Sequence, residues 1–304
     1  MKHPPVVFFI FRRPELTKRV FSEIAKFRPE HLVIVADGPR FGVAGEGELV
    51  AQTRSVVENV DWPCTVTRIY SDTNLGLRQR LLTGLDEAFA LHERLIILED
   101  DCLPSQSFFS FVTTMLEHFE DRSDLAIVSG SNFAPYKAKH DYHFSEHPYI
   151  WGWGTWAHVW KSFRSSEQTD SWPPSQIQRI RSGFSVSAQG RNFANLMVHS
   201  PKLNTWDISF AVWVRHQKLL SIVPRENLIE NIGFGLDATH TKFESFDSNL
   251  PAGNLEAPYV GPSIPTPDYS REKKMWMVKR LRWITFPLSH PILFMSRVLN
   301  YLLK

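Results

Sequence analysis

Hydrophobic residues arrive along this chain in short continuous runs, and most runs are followed by a stretch with helical spacing. Val6–Phe11 is the first run. Arg12-Arg13-Pro14 ends it, and Leu16, Val20, Phe21 and Ile24 then recur at helical intervals across Glu15–Phe27. His31–Ala36 is the second run, closed by Asp37-Gly38-Pro39, a strong turn signal. The pattern next predicts a helix over Gln52–Val60, an alternating strand over Cys64–Tyr70 and a helix from about Leu77 to Ala90. Leu95–Leu98 is a fourth strand, Ser107–Phe119 an aromatic-rich helix and Leu125–Val128 a further strand. Ser221–Pro224 and Asn227–Ile232 read as short late strands. Strand, helix and strand in this order predict right-handed βαβ units. Continuous rather than alternating apolar runs predict strands covered on both faces, as in a parallel sheet.

Chemistry enters at the end of the fourth run. Leu95-Ile96-Ile97-Leu98 leads straight into Glu99, Asp100 and Asp101. Ligand sites of open α/β sheets lie at the carboxyl ends of the strands, where this triplet falls. Adjacent carboxylates repel one another, so the cluster implies a cation or, failing that, a solvated acidic turn. A hard divalent ion that also holds a diphosphate suits such oxygen ligands. Arg78 and Arg80 lie near the start of the third helix, where cations are electrostatically unfavourable, and so imply an anionic partner or ordinary surface arginines. No G-x-G-x-x-G follows the first strand, and Gly42–Gly47 lacks the Gly-Lys-Ser/Thr ending of a P-loop and reads as a mobile loop.

Two tryptophan elements stand apart. Tyr149-Ile150-Trp151-Gly152-Trp153-Gly154-Thr155-Trp156, with Trp160 behind it, is core or else a wall of a sugar site, since indole faces suit flat apolar sugar faces. Trp151 and Trp153 are the candidates for that wall. Trp206-Asp207 opens the run Ile208-Ser209-Phe210-Ala211-Val212-Trp213, and Asp207 there is either an N-terminal cap or a catalytic carboxylate.

The succession strand–Asp-Gly, Asn74-Leu75-Gly76 and strand–Glu-Asp-Asp followed by Phe108-Phe109 resembles nucleotide-sugar glycosyltransferases of the GT-A fold. The likeness is to the N-acetylglucosaminyltransferase I family of the Golgi and to bacterial family-2-type transferases, over roughly residues 5–240. It implies a Rossmann-like, mixed and mostly parallel central sheet flanked by helices. It implies that Asp101 binds Mn²⁺ or Mg²⁺, that Asp100 faces the donor sugar and Glu99 the ribose or its surroundings. Asp37 would hydrogen-bond the nucleobase, with Arg12 or Arg13 beside it and Arg78 also on the donor. Phe11-Arg12 stands where the family has Asp-Arg. Asp207 would be the base of an inverting transfer, and His240, which follows Gly233 and Gly235 late in the domain, a further metal ligand or else a structural histidine.

The net charge of +2 gains meaning only when divided. Residues 271–304 hold eight Lys/Arg against one Glu, a net of +7, and the remainder holds 26 Lys/Arg against 31 Asp/Glu, a net of −5. The tail mixes its cations with Trp276, Trp283, Phe286 and Phe294, as interfacial membrane helices do; a docked helical lid or a dimer surface is the alternative. The expected organisation is a catalytic domain over 1–268, with a donor half to about 132 and an acceptor half after it, and a basic amphipathic helical tail over 269–304. Two cysteines, Cys64 and Cys102, make no disulfide framework and fit a reducing compartment. Val6–Phe11 is too short for a signal peptide, and no uninterrupted apolar stretch reaches the roughly 18 residues of a membrane span.

The expected function is a metal-dependent, inverting glycosyltransferase of hexosyltransferase type. It would move a sugar from a nucleotide-diphosphate sugar to a glycan or lipid-linked acceptor in bacterial-type surface polysaccharide synthesis. Its expected place is the cytoplasm, peripheral at the inner face of the cytoplasmic membrane, with no nucleic-acid partner. A nucleotidyltransferase acting on a sugar phosphate and a catalytically silent carbohydrate-binding protein of the same fold are the alternatives.

Overall fold

The structure, a computed structural model, describes residues 3–133, 139–167, 206–233 and 250–268, with isolated positions 270, 291 and 295. Among the described residues one sheet dominates. Its strands are β1 (Val6–Ile10), β2 (His31–Ala36), β3 (Thr65–Tyr70), β4 (Arg94–Glu99), β6 (Leu125–Ser129), β7 (Tyr142–Ser145), β8 (Trp153–Trp156) and β9 (Leu220–Pro224), in the order β3-β2-β1-β4-β8-β6-β9-β7. A small antiparallel pair, β5 (Cys102–Pro104) with β10 (Ile229–Asn231), stands beside it. β3, β2, β1 and β4 run parallel, while β8 inserts antiparallel between β4 and β6. This is the mixed, mostly parallel sheet that the run pattern predicts.

Among the described residues the helices are α1 (Pro14–Phe27), α2 (Glu46–Val56), α3 (Leu77–Leu91), α4 (Gln106–His118), α5 (Ala157–Glu167) and α6 (Asp207–His216). α1 packs on α2 and α4, and α3 packs on α5. Every β1, β6 and β9 residue is buried, as strands covered on both faces require, and the continuous apolar runs are explained. Each such fully buried large apolar side chain stabilises the fold by roughly 1.5–3 kcal/mol.

The chain order reverses between β1 and β4. From β1 the chain steps outward through α1 to β2 and through α2 to β3, and α3 then carries it back to β4 on the other side of β1. Such a switch point opens a crevice at the carboxyl ends of the two strands. Pro14 at the first turn of α1 has no N–H to leave unsatisfied, so the chain passes from strand to helix across Phe11–Arg13 alone. Arg12 and Arg13 are thereby held at the crevice edge.

Some elements differ from their expectation. α2 begins at Glu46 rather than Gln52, because Gly45 adopts φ 76 and turns the chain into the helix inside the glycine-spaced loop. The Trp-Gly stretch contains a strand, β8, whose Gly154 has no room for a Cβ against Val112 and Leu116 of α4. β5, β7 and α5 were not anticipated from the pattern. Tail residues 271–304 lie outside the described residues apart from positions 291 and 295. No described helix is long and apolar enough to cross a membrane.

Candidate active site

The crevice at the β1/β4 switch point holds a cavity of about 330 Å³, walled by the ends of β1 and β4, the turn after β2 and the first turn of α3. Glu99, Asp100 and Asp101 enter it together with Arg13, Asp37, Arg40 and Arg80. The register explains the meeting of the first four. Phe9 of β1 lies opposite Glu99 of β4, so the residues that follow each strand emerge side by side.

The cation that the acid triplet demands is partly supplied by the chain. Arg13 Nη1 donates to Asp101 Oδ2 at 2.8 Å and to Asp100 Oδ1 at 3.3 Å, and the Phe11 N–H donates to Asp100 Oδ2 at 3.2 Å. One guanidinium does not offset three acids in a poorly solvated corner. Burial, then Asp101 and Asp100, then Asp207 push the Glu99 carboxyl up to about 8, against a downward pull from Arg13. Burial and Asp101 likewise push Asp100 up to about 7, opposed by Arg13 and the Phe11 N–H. Burial also drives the neighbouring Cys102 thiol well above its ordinary value.

Asp37 contrasts with the triplet. It is 5% exposed, and its carboxylate accepts from the Gly38 and Leu75 N–H groups at 2.9 Å each and from Asn74 Nδ2 and the Gly76 N–H at 3.0 Å each. A carboxylate has about four lone-pair positions, and these four donors fill them. Asp37 therefore clips the Asn74-Leu75-Gly76 turn to the end of β2, and it also lines the cavity where a nucleobase contact was expected of it. The two loops approach so closely that a Cβ on Gly38 would collide with the backbone of Thr73.

Arg12 also departs from expectation. It turns to Glu46 at 3.3 Å, where Arg40 binds the same buried carboxylate at 2.5 Å through Nη2, so Arg12 braces the loop ahead of α2 while Arg40 takes the place on the cavity wall. Arg78 Nη1 reaches Ser209 Oγ at 3.3 Å and so links the start of α3 to the start of α6.

Asp207 is the first residue of α6, following the capping position Trp206, and its charge is felt at Glu99. The geometry behind this is aromatic. Trp153 of β8 lies opposite Ile97 of β4, two residues before Glu99, and its ring stacks on Trp206 at 5.6 Å between centroids. Trp153 is 1% exposed and so has no face for a ligand; it is a core residue that positions α6, and its expected place in the sugar wall is corrected. Trp151 is only partly buried, packs edge-on against Phe133 at 5.1 Å and stands at the same sheet edge as the triplet.

The triplet is also enclosed from the far side. β10 pairs with β5 directly after Asp101, the Ile232 N–H donates to the Asp101 carbonyl at 2.8 Å, and a Cβ on Gly233 would strike the Asp101 carboxylate. His240 lies outside the described residues. Among the described residues no group of three or more His, Cys, Asp or Glu side chains is arranged to hold a metal ion. Hard divalent ions are nevertheless commonly held through one or two carboxylates with phosphate and water completing the shell, and the oxygens of Asp100 and Asp101 fit that donor set.

Many solved chains are similar to this one. A mannosyltransferase from Pyrobaculum calidifontis, solved in complex with GDP-mannose and Mn²⁺, is similar with a TM-score of 0.45 and 11% sequence identity over 78% of this chain. The chain matches 59% of that protein's length. No family model matches the chain, and no curated protein does.

Arg40, Glu46 and Gly233 escaped the sequence reading. Asp-Gly-Pro-Arg carried a turn signal but nothing to show that Arg40 faces a cavity. Gly233 stood in a glycine-spaced segment with no local sign of Asp101.

Proposed function

We propose that this chain is a GT-A-type glycosyltransferase that moves a sugar, with inversion, from a nucleotide-diphosphate sugar to a hydroxyl of a glycan or lipid-linked acceptor. The observation that carries the reading is the meeting, at the β1/β4 switch point, of a cavity with three acids at a strand end, one of which, Glu99, feels the charge of the aspartate that opens α6. Inverting transfer needs an anion-tolerant pocket for the donor and a base on the opposite side that takes the acceptor proton. Asp207 is proposed as that base, since it stands near the triplet without belonging to it. A general base acts within about 2.6–3.2 Å of the hydroxyl it deprotonates.

Asp101 and Asp100 are the residues that would hold a divalent ion, with His240 a further candidate, and the bound ion would supply Lewis-acid stabilisation of the departing diphosphate. Arg13 occupies the same carboxylate oxygens, which keeps the triplet folded and its side chains aimed when no divalent ion is there. Glu99 faces the cavity as a group that exchanges a proton near neutral pH. Asp37 acts through the 74–76 turn that it holds in place. Trp151 is proposed as the one tryptophan of the pair able to offer a ring face to sugar.

The test is a thermal-shift screen of nucleotide sugars with and without Mn²⁺, followed by product analysis with the donor that binds. The expected result is a midpoint raised by one class of nucleotide sugar in a Mn²⁺-dependent way, and a product of inverted anomeric configuration. A protein indifferent to every nucleotide sugar under both conditions is not a transferase, and a retained configuration rejects Asp207 as the base.

A further inference from the structure

We propose that Asp86 is a positioning residue for Asp207: through the indole N–H of Trp160 it fixes where α6 begins relative to the cavity. The proposal rests on the transferase reading only for the part that Asp207 plays in the rate. The placement of α6 is tested separately.

α6 sits on a floor of rings. Trp206, the residue before Asp207, stacks on Trp153 at 5.6 Å between centroids and meets Trp160 edge-on at 6.3 Å. Phe210, one turn later, lies 6.4 Å from Trp160 and meets Phe163 edge-on at 5.1 Å. Trp160 thus bears on both Trp206 and Phe210. Burial of rings is non-directional, so it holds α6 down without fixing its register. A hydrogen bond is directional and does fix it.

That hydrogen bond comes from α3. Trp160 is 1% exposed, and its Nε1–H donates to Asp86 Oδ1 at 2.8 Å. Phe89, three positions after Asp86 and on the same face of α3, stacks on the Trp160 ring at 6.0 Å. Arg164 Nε and Nη2 also donate to the Asp86 carboxylate, at 3.0 and 3.1 Å. With the side chains of Arg164 and Asp86 30% and 40% exposed, that ion pair is screened by solvent and contributes little to stability. Its consequence is to hold the carboxylate in place for the indole N–H, which burial cuts off from solvent and which is costly to leave unpaired.

α3 is also the helix that walls the cavity, through Leu77 and Leu81. Near its start Arg78 Nη1 reaches Ser209 Oγ at 3.3 Å. α3 therefore grips α6 directly at Arg78 and, eight positions later, through Asp86 and Trp160. Eight residues of helix span about 12 Å. Two attachments that far apart on one rigid element set both the place and the direction of α6. The donor cavity and the proposed base are thereby mounted on the same helix, and Asp86 makes the second attachment.

The experiment measures kcat and donor KM for wild type, Asp86→Ala and Asp86→Asn, each alone and combined with Asp207→Asn. Misplacing a reacting group by about 1 Å costs on the order of 10²-fold, so Asp86→Ala should lower kcat roughly 10- to 100-fold at unchanged donor KM. Asp86→Asn keeps an oxygen for the indole N–H and should recover most of that loss. In the Asp207→Asn background Asp86→Ala should cause no further loss, since a residue that acts through Asp207 has nothing left to position. Wild-type kcat in Asp86→Ala, or losses that multiply in the double variant, overturn the proposal. The placement of α6 is read by fluorine NMR of the full chain carrying fluorotryptophan. The Trp206 resonance should shift in Asp86→Ala and return in Asp86→Asn, while that of Trp62, which bonds to the Pro29 carbonyl, stays fixed. An unmoved Trp206 resonance overturns the proposal whatever the activity. A moved resonance in a chain that turns over no nucleotide sugar keeps Asp86 as the anchor of α6 and removes the transferase reading. If Asp86→Ala does not fold, Trp160→Phe takes its place with the same expectations, because it keeps a ring and loses the N–H.

Discussion

Two carboxylate groupings stand at the same edge of the sheet, at the ends of neighbouring regions, and their states are opposite. Asp37 ends β2, and its four acceptor positions are filled by donors from Gly38 and the 74–76 turn. Glu99, Asp100 and Asp101 end β4 and share one guanidinium, so two of them hold protons far above the ordinary carboxylate range. A carboxylate surrounded by N–H groups is a structural clip. A carboxylate crowded by its own kind stores electrostatic free energy that a cation, a proton or a substrate can release. The folded chain places the second kind beside the cavity and uses the first kind to shape the cavity's rim.

The largest expected effect lies on the functional side of this contrast. Asp207→Asn preserves volume and should lower the transfer rate by about 10²–10⁴-fold with donor binding intact, as loss of a general base does. Rate and donor affinity measured on one preparation check it, and a near-normal rate would leave Asp207 as a helix-terminal residue only. Next in size is the structural side. Asp37→Ala strands four donors at once and should cost roughly 3 kcal/mol or more of stability. Denaturant unfolding reads this directly; a loss of nucleotide affinity with unchanged stability would instead return Asp37 to direct contact with the ligand.

The smallest effect sharpens the comparison through pH. Glu99 rises from 4.5 to about 8 and Asp100 from 3.8 to about 7 in the folded chain without divalent ions. The folded state then holds protons that the unfolded state has already released. Their contribution to stability is fully present below about pH 4, declines as pH rises through neutrality and is gone above about pH 8. The thermal midpoint should therefore fall across this window in the presence of a chelator, less steeply in Glu99→Gln, and less steeply again for wild type with Mn²⁺. A slope identical in wild type and Glu99→Gln would show that Glu99 is not held protonated.

Much of the frame was legible because it depends on neighbours in the chain. Leu95–Leu98 predicted β4 to within a residue at either end, and Glu99-Asp100-Asp101 announced a cluster that needs a cation. The identity of that cation was not legible: Arg13 lies 87 and 88 positions from its two acids. Nor could spacing sort the tryptophans, since Trp151 and Trp153 differ by two positions and one is partly buried while the other stacks on Trp206 in the core. Arg78 and Arg80 show the same limit. Side chains two positions apart on a helix face different ways, so one turns to Ser209 and the other into the cavity, but which does which depends on the sheet beneath.

The amino-acid sequence by itself determined the alternation of buried strands with helices, the mostly parallel sheet and the positions of Asp101 and Asp207 on the ends of elements. These follow from apolar runs, turn residues and polarity changes, all of them local. Tertiary structure alone decided which charges meet. Once β1 lies between β2 and β4, Arg13 falls on Asp100 and Asp101, Asp37 is closed by the 74–76 turn, and Arg80 comes to line the cavity. Coulomb interaction and desolvation depend on distance and burial in space, and strand order, which no local pattern encodes, sets both.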